Sequence, residues 1–135
     1  MSRATKTFVN RVKVSERHGA AEWTAERASS LILVPLTIWG LWSGFMLAGG
    51  GYGGALDWFR SPVNAVLLAV TLVVSVWHMQ MGLKVIVYDY IHKPGSRGLL
   101  LGLIGLLCVL IAAAGVFFIV RLALGSAPLP AGFGI

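Results

Sequence analysis

Four residues in one stretch of the chain have types that can hold a cofactor or move protons: His78, Gly82, Asp89 and Tyr90. At 100° per helical residue, the eleven steps from His78 to Asp89 complete three turns plus about 20°, so both side chains project from nearly the same face. Gly82, one turn after His78, shares that face. Because titratable groups are costly to keep in a membrane helix, this stretch is the first candidate for a functional site.

His78 lies inside an apolar run, where a neutral imidazole still needs a partner. The residues alone leave two interpretations open. Either the imidazole hydrogen-bonds to a Ser or Thr of a neighbouring helix, or it binds a haem iron as an axial ligand, with Gly82 leaving room for the porphyrin. A haem with two histidine ligands would need a second chain, because His18 and His92 lie outside the apolar runs.

Asp89 and Tyr90 end the same stretch, and they also allow two interpretations. Aromatic residues are ordinary anchors at a membrane interface, and a carboxylate there can pair with Lys93 or Arg97. The alternative is a quinone site, in which the phenol donates a hydrogen bond to a quinone carbonyl and the carboxylate relays protons. Because quinone reduction consumes protons as well as electrons, such a site belongs near water.

The composition identifies the elements that must position these residues. The chain has 135 residues, of which 57% are hydrophobic and 12% are charged, too apolar for a soluble domain of this size. Apolar runs at about 28–48, 63–90 and 99–124 each approach the roughly 20 residues that cross a hydrocarbon core. They predict an all-α membrane protein with three transmembrane helices in an up-down-up bundle.

The same pattern predicts a three-helix membrane domain over residues 23–124, between two tails. The first, 1–22, is basic and is expected to be extended or only partly ordered, and the second, 125–135, is rich in proline. The net charge of +6 comes from basic residues beside the apolar runs, where they attract anionic lipid and set topology. We therefore expect a cytoplasmic N-terminus and no binding of nucleic acid.

Arg27 stands at the start of the first apolar run, on the membrane side where Asp89 is expected. By the positive-inside rule it is a cytoplasmic anchor. A ligand that carries carboxylates on that side, such as a haem with its propionates, would give the guanidinium a second role.

The order His78, then Gly82, then Asp89-Tyr90, in the second of three spans, resembles the hydrophobic membrane-anchor subunits of bacterial succinate dehydrogenase, respiratory complex II. The run from Glu26 to Ser29 is also similar to the start of the first helix in that family, particularly in alphaproteobacterial forms. The likeness covers roughly residues 23–124.

The resemblance implies a role for each of these residues. His78 would be an axial ligand of haem b, with Gly82 beside the haem and the second ligand supplied by the cytochrome b subunit of the same enzyme. Arg27 would lie near the haem propionates. Tyr90 would hydrogen-bond ubiquinone, and Asp89 would be its neighbour at the site of proton uptake.

The resemblance also implies a division of labour within a larger enzyme of the tricarboxylic acid cycle. A flavoprotein subunit would oxidise succinate, and an iron–sulfur subunit would carry electrons to the membrane. This chain, with one cysteine and no dinucleotide fingerprint, would oxidise no succinate itself. It would be a multi-pass subunit of the bacterial inner (cytoplasmic) membrane. The alternatives are the anchor of a fumarate reductase and a cofactor-free three-span scaffold protein.

Overall fold

The computed structural model describes the backbone of residues 3–125 and the side chains from residue 19 onward. Within that range the chain is helical and contains no strand. Helix α1 spans Arg3–Arg60, α2 spans Pro62–Tyr90 and α3 spans Pro94–Ala123. The all-α, three-span fold class predicted from the sequence is confirmed, and its orientation in the membrane stays a prediction.

All three helices are long and apolar enough to cross a membrane. The stretches that qualify are Gly19–Arg60, Pro62–Tyr90 and Pro94–Ala123, and the last contains the most apolar segment of the three. At 1.5 Å per residue, the 29 residues of α2 extend about 44 Å, more than the ~30 Å hydrocarbon core. The chain is therefore a multi-pass membrane protein.

Helix α1 starts earlier and ends later than the sequence indicated. It begins at Arg3, so the segment 3–22, expected to be extended or only partly ordered, is helical. The reason is local, since residues 3–18 include many good helix formers and neither Gly nor Pro. The division into two tails and a membrane domain stays a prediction, and the tail from residue 126 onward lies outside the described residues.

The glycine-rich stretch 49–54 contains a break between two helical segments of α1. Gly51 has φ 61° and ψ −172°, a backbone conformation that is essentially restricted to glycine. Trp39 and Trp58 show its effect: their rings stack with centroids 5.8 Å apart, whereas nineteen residues of continuous helix would separate them by about 28 Å. The segment after Gly51 therefore folds back along α1 before α2 begins.

Helix α2 lies between the other two helices. It packs along both α1 and α3, which touch each other little. Its buried residues Ala65, Val76 and Val87 recur every eleven residues, so they form one stripe along the helix. On the side of α3, Leu72 lies so close to Gly115 that a side-chain carbon there would collide with it.

Replacing Gly51 with Ala should destabilise the protein by about 1–3 kcal/mol, because an L residue is strained at this φ and ψ. The measurement is the thermal or denaturant midpoint of the purified protein in detergent. Gly50→Ala is the matched control, since Gly50 has a negative φ and an added carbon would meet nothing within 4 Å. Equal midpoints for the two variants would show that the break does not depend on glycine at position 51.

Candidate functional site

His78 lies on the side of α2 that meets α1, and it is half-buried. Its Nδ1 atom is 2.9 Å from the hydroxyl oxygen of Ser29, which is completely buried on α1. The Ser29 hydroxyl also donates a hydrogen bond to the carbonyl oxygen of Glu26, at 2.8 Å. The structure thus contains the interhelical serine–histidine bond that was one of the two interpretations of His78. That bond uses Nδ1 and leaves Nε2 out of the contact.

An open, mostly apolar groove runs along α1 beside this imidazole. It is lined by His78 together with Ser30, Leu33, Val34, Thr37 and Ile38. A second groove, toward the N-terminus of α1, is lined by Trp23, Glu26, Arg27, Ser30 and Leu31. Because Ser30 lines both, the two grooves join along one face of the helix. We call this combined surface the α1 groove.

Arg27 supplies a positive charge in the more polar part of the α1 groove. Its guanidinium lies over the ring of Trp23, 4.4 Å from the ring centroid, and its side chain is exposed. A guanidinium stacked on an indole keeps its in-plane N–H groups available to an anion. The groove therefore combines an apolar part beside the imidazole with a cationic part about one turn away.

Gly82 belongs to a face of α2 that is turned away from α3. Helix α3 approaches α2 on the side of Leu72 and Gln80, because Gly115 lies against the first and Gly105 beside the second. Gly82 is about 200° around the helix from Gln80, and a side-chain carbon at Gly82 would meet no atom within 4 Å. The described part of the chain leaves this face open next to His78.

Asp89 and Tyr90 are the last two residues of α2, and both side chains are exposed, Tyr90 to 77%. Arg97, a possible partner of Asp89 from the sequence, instead lies over the ring of Tyr88 at 5.4 Å. Eleven helical residues, or about 16 Å along the axis, separate Asp89 from His78. The predicted residues therefore form two groups, one around His78 and Arg27 and one at the end of α2.

The sequence did not identify Ser29 as the partner of His78. Ser29 and Ser30 are adjacent at the start of an apolar run, and both hydroxyls donate to the carbonyl of Glu26. Only Ser29 turns toward α2. The sequence indicated the kind of partner, because a histidine in an apolar run can hydrogen-bond to a Ser or Thr hydroxyl of a neighbouring helix. Nothing in the local pattern, however, distinguishes Ser29 from Ser30.

Most of the chain matches one known protein family. A family model described as the succinate dehydrogenase/fumarate reductase transmembrane subunit matches residues 1–119. No solved structure matches the chain.

Curated relatives point to the same family. The succinate dehydrogenase hydrophobic membrane anchor subunit of Rickettsia typhi is 28% identical over 100 residues, which cover 74% of this chain and 80% of that protein. The corresponding protein of Rickettsia felis is 24% identical over 107 residues, 79% of this chain and 89% of the relative. The succinate dehydrogenase membrane anchor subunit of Reclinomonas americana is 23% identical over 87 residues, 62% of this chain and 72% of the relative.

Proposed function

We propose that this chain, which belongs to the family of succinate dehydrogenase/fumarate reductase transmembrane subunits, supplies one axial ligand of haem b and part of a ubiquinone-reduction site. The names of its curated relatives support a role as a succinate dehydrogenase membrane-anchor subunit. The haem ligand, the quinone site and the roles of individual residues go beyond that, and the contacts of the chain support them.

The observation that carries the haem assignment is the position of His78 between a buried hydroxyl and the α1 groove. Ser29 occupies Nδ1, so Nε2 is the nitrogen that remains for iron. Most of the other residues that line this part of the groove, Leu33, Val34 and Ile38, are apolar, as befits a macrocycle with a hydrocarbon rim. When bound, haem b supplies a one-electron redox centre in the apolar interior. His78 would hold it, and Gly82 would leave space beside it.

The second axial ligand is proposed to come from the cytochrome b subunit. His92 follows the end of α2 and is exposed, fourteen residues from His78, which corresponds to about 20 Å along a helix. Among the described side chains, no three His, Cys, Asp or Glu residues gather into a metal site, and an axial ligand needs no such cluster. We further propose a flavoprotein and an iron–sulfur subunit as partners, in the bacterial inner membrane.

Arg27 is proposed to neutralise the propionates of the haem. Its guanidinium lies in the same α1 groove as His78, at the more polar end. A guanidinium can form paired hydrogen bonds to a carboxylate, so this position suits a ligand whose apolar part reaches the imidazole.

Tyr90 and Asp89 are proposed as the ubiquinone site. Both side chains are exposed at the end of α2, where water can supply protons. The Tyr90 phenol would donate a hydrogen bond to a quinone carbonyl, and the Asp89 carboxylate would pass protons from water. The separation from His78 keeps proton uptake out of the apolar interior.

A cofactor-free role is the second candidate, and the Ser29 contact itself favours it, because a hydrogen-bonded imidazole already has a partner. In that case His78 would only join α1 to α2. The two candidates differ in one property, the visible absorption of the purified complex. An anchor of a fumarate reductase would share the chemistry proposed here and run it in the opposite direction.

Replacing His78 with Ala should abolish or change the b-type absorption spectrum of the assembled complex, because iron loses an imidazole ligand. The measurement is a reduced-minus-oxidised spectrum, taken after co-purification confirms that the other subunits are present. His92→Ala is the control, since His92 is exposed outside the helices and should leave the spectrum intact. An unaltered spectrum in the His78 variant would refute the ligand assignment and favour the cofactor-free role.

Replacing Arg27 with Gln should lower the midpoint potential of the haem, because removing a nearby cation favours the more positively charged oxidised form. A redox titration followed by absorbance measures the change. Arg27→Lys retains the charge and should stay close to the wild-type potential. If Gln and Lys give the same potential, the charge of Arg27 does not act on the haem.

Replacing Tyr90 with Phe should lower succinate:ubiquinone activity by about tenfold, the effect of losing one hydrogen bond of about 1.4 kcal/mol in the transition state. Succinate oxidation with an artificial soluble acceptor should not change. Tyr88→Phe is the control, because it keeps the ring beneath Arg97 and removes a neighbouring phenol. A parallel loss of both activities in the Tyr90 variant would indicate a structural role.

A further inference from the structure

Ser29 makes two hydrogen bonds whose directions depend on each other. Its hydroxyl lies 2.8 Å from the Glu26 carbonyl oxygen and 2.9 Å from His78 Nδ1. A serine hydroxyl has one proton to donate and lone pairs to accept with, whereas a carbonyl oxygen only accepts. The Ser29 proton therefore goes to Glu26, and the bond to the imidazole needs a proton on Nδ1. In that tautomer Nε2 carries a lone pair, which is what a metal ion requires.

The surroundings of the imidazole favour the same tautomer. If the proton were on Nε2 instead, that N–H would have no hydrogen-bond partner among residues 19–125 and would lie beside a mostly apolar groove, lined by Leu33, Val34 and Ile38 together with Ser30 and Thr37. A donor without a partner in apolar surroundings is destabilising. Ser29 is 0% exposed, so bulk water does not reach its hydroxyl to compete for the Nδ1 proton.

We infer that Ser29 is a positioning residue for the haem ligand: by accepting the Nδ1 proton of His78, it fixes the tautomer and the ring orientation and increases the basicity of Nε2. This inference rests on the proposed function of His78. Partners that accept the second N–H of a metal-bound histidine commonly change metal affinity by about 10–100-fold. A more basic axial nitrogen favours oxidised iron over reduced iron, so this contact also lowers the midpoint potential of the haem.

The test is Ser29→Ala in the whole assembled complex, with two readouts that are independent of turnover. The first is haem retention, measured as the rate of transfer to an excess of a haem-free acceptor protein. The second is the midpoint potential. We expect faster haem loss and a higher potential, by about 59 mV if the binding of oxidised haem weakens tenfold relative to reduced haem.

Three further variants distinguish the effect of the Ser29 hydroxyl from the effect of a change in helix packing. Ser29→Thr keeps the acceptor oxygen and should restore the wild-type potential. Ser29→Cys has nearly the size of serine and a weak acceptor, so it should shift the potential in the same direction as alanine, and it replaces the alanine variant if that complex does not assemble. Ser43→Ala removes a buried hydroxyl elsewhere on α1 and should change neither readout.

The outcomes separate this inference from the function on which it rests. If His78→Ala alters the spectrum and the Ser29 variants leave both retention and potential unchanged, the positioning role is overturned and the ligand assignment stands. If Ser43→Ala produces the same shift as Ser29→Ala, the effect comes from helix packing, and the inference also fails. If His78→Ala leaves the spectrum unchanged, both are wrong.

Discussion

The hydrogen bond between Ser29 and His78 joins α1 to α2 at the candidate site, and its strength comes from the apolar surroundings. An imidazole in such an environment must find a partner, and here a completely buried hydroxyl provides one. The bond accompanies one particular rotation of α2 relative to α1, the rotation that brings His78 to Ser29. That rotation also determines which side of the imidazole meets the α1 groove and which face of α2, with Gly82, remains open.

The chain by itself builds only a thin interior. In the spanning windows of α1 and α2 just 6% of the residues are buried, and in that of α3 the share is 11%. Large apolar side chains such as Leu41, Phe45 and Val109 remain exposed along the helices. Because lipid tails are themselves apolar, such surfaces suit a membrane or the apolar surface of another subunit. The sparse interior fits the family of the chain, whose relatives are subunits of an enzyme.

Under the proposed function, the separation of the two residue groups would have a chemical benefit. The group around His78 and Arg27 lies along the open, mostly apolar α1 groove, which under the proposed function would hold the haem. Asp89 and Tyr90 lie about 16 Å further along α2, at an exposed helix end where protons are available. Helix α2 would thus place the haem ligand in mostly apolar surroundings, as electron transfer needs, and the quinone-site residues next to water, as protonation of the quinone needs.

Composition and helical period are enough to predict the three spans and to select the candidate residues. Long apolar runs can satisfy their backbone groups in lipid only as helices, so the fold class follows from local composition. The helical period placed His78, Gly82 and Asp89 on one face without any tertiary information. The helix over 3–22 does not follow from the same pattern, because a basic segment without an apolar period is compatible with a helix or with an extended tail.

The tertiary structure decided which groups meet. Ser29 and His78 are 49 residues apart in the sequence. Whether Ser29 or Ser30 meets the imidazole depends on how α1 is rotated and shifted along α2, and a hydropathy pattern does not specify either. The reversal at Gly51 likewise depends on one φ value among several neighbouring glycines. Composition and period are properties of one segment, whereas a hydrogen bond between helices depends on the geometry of both.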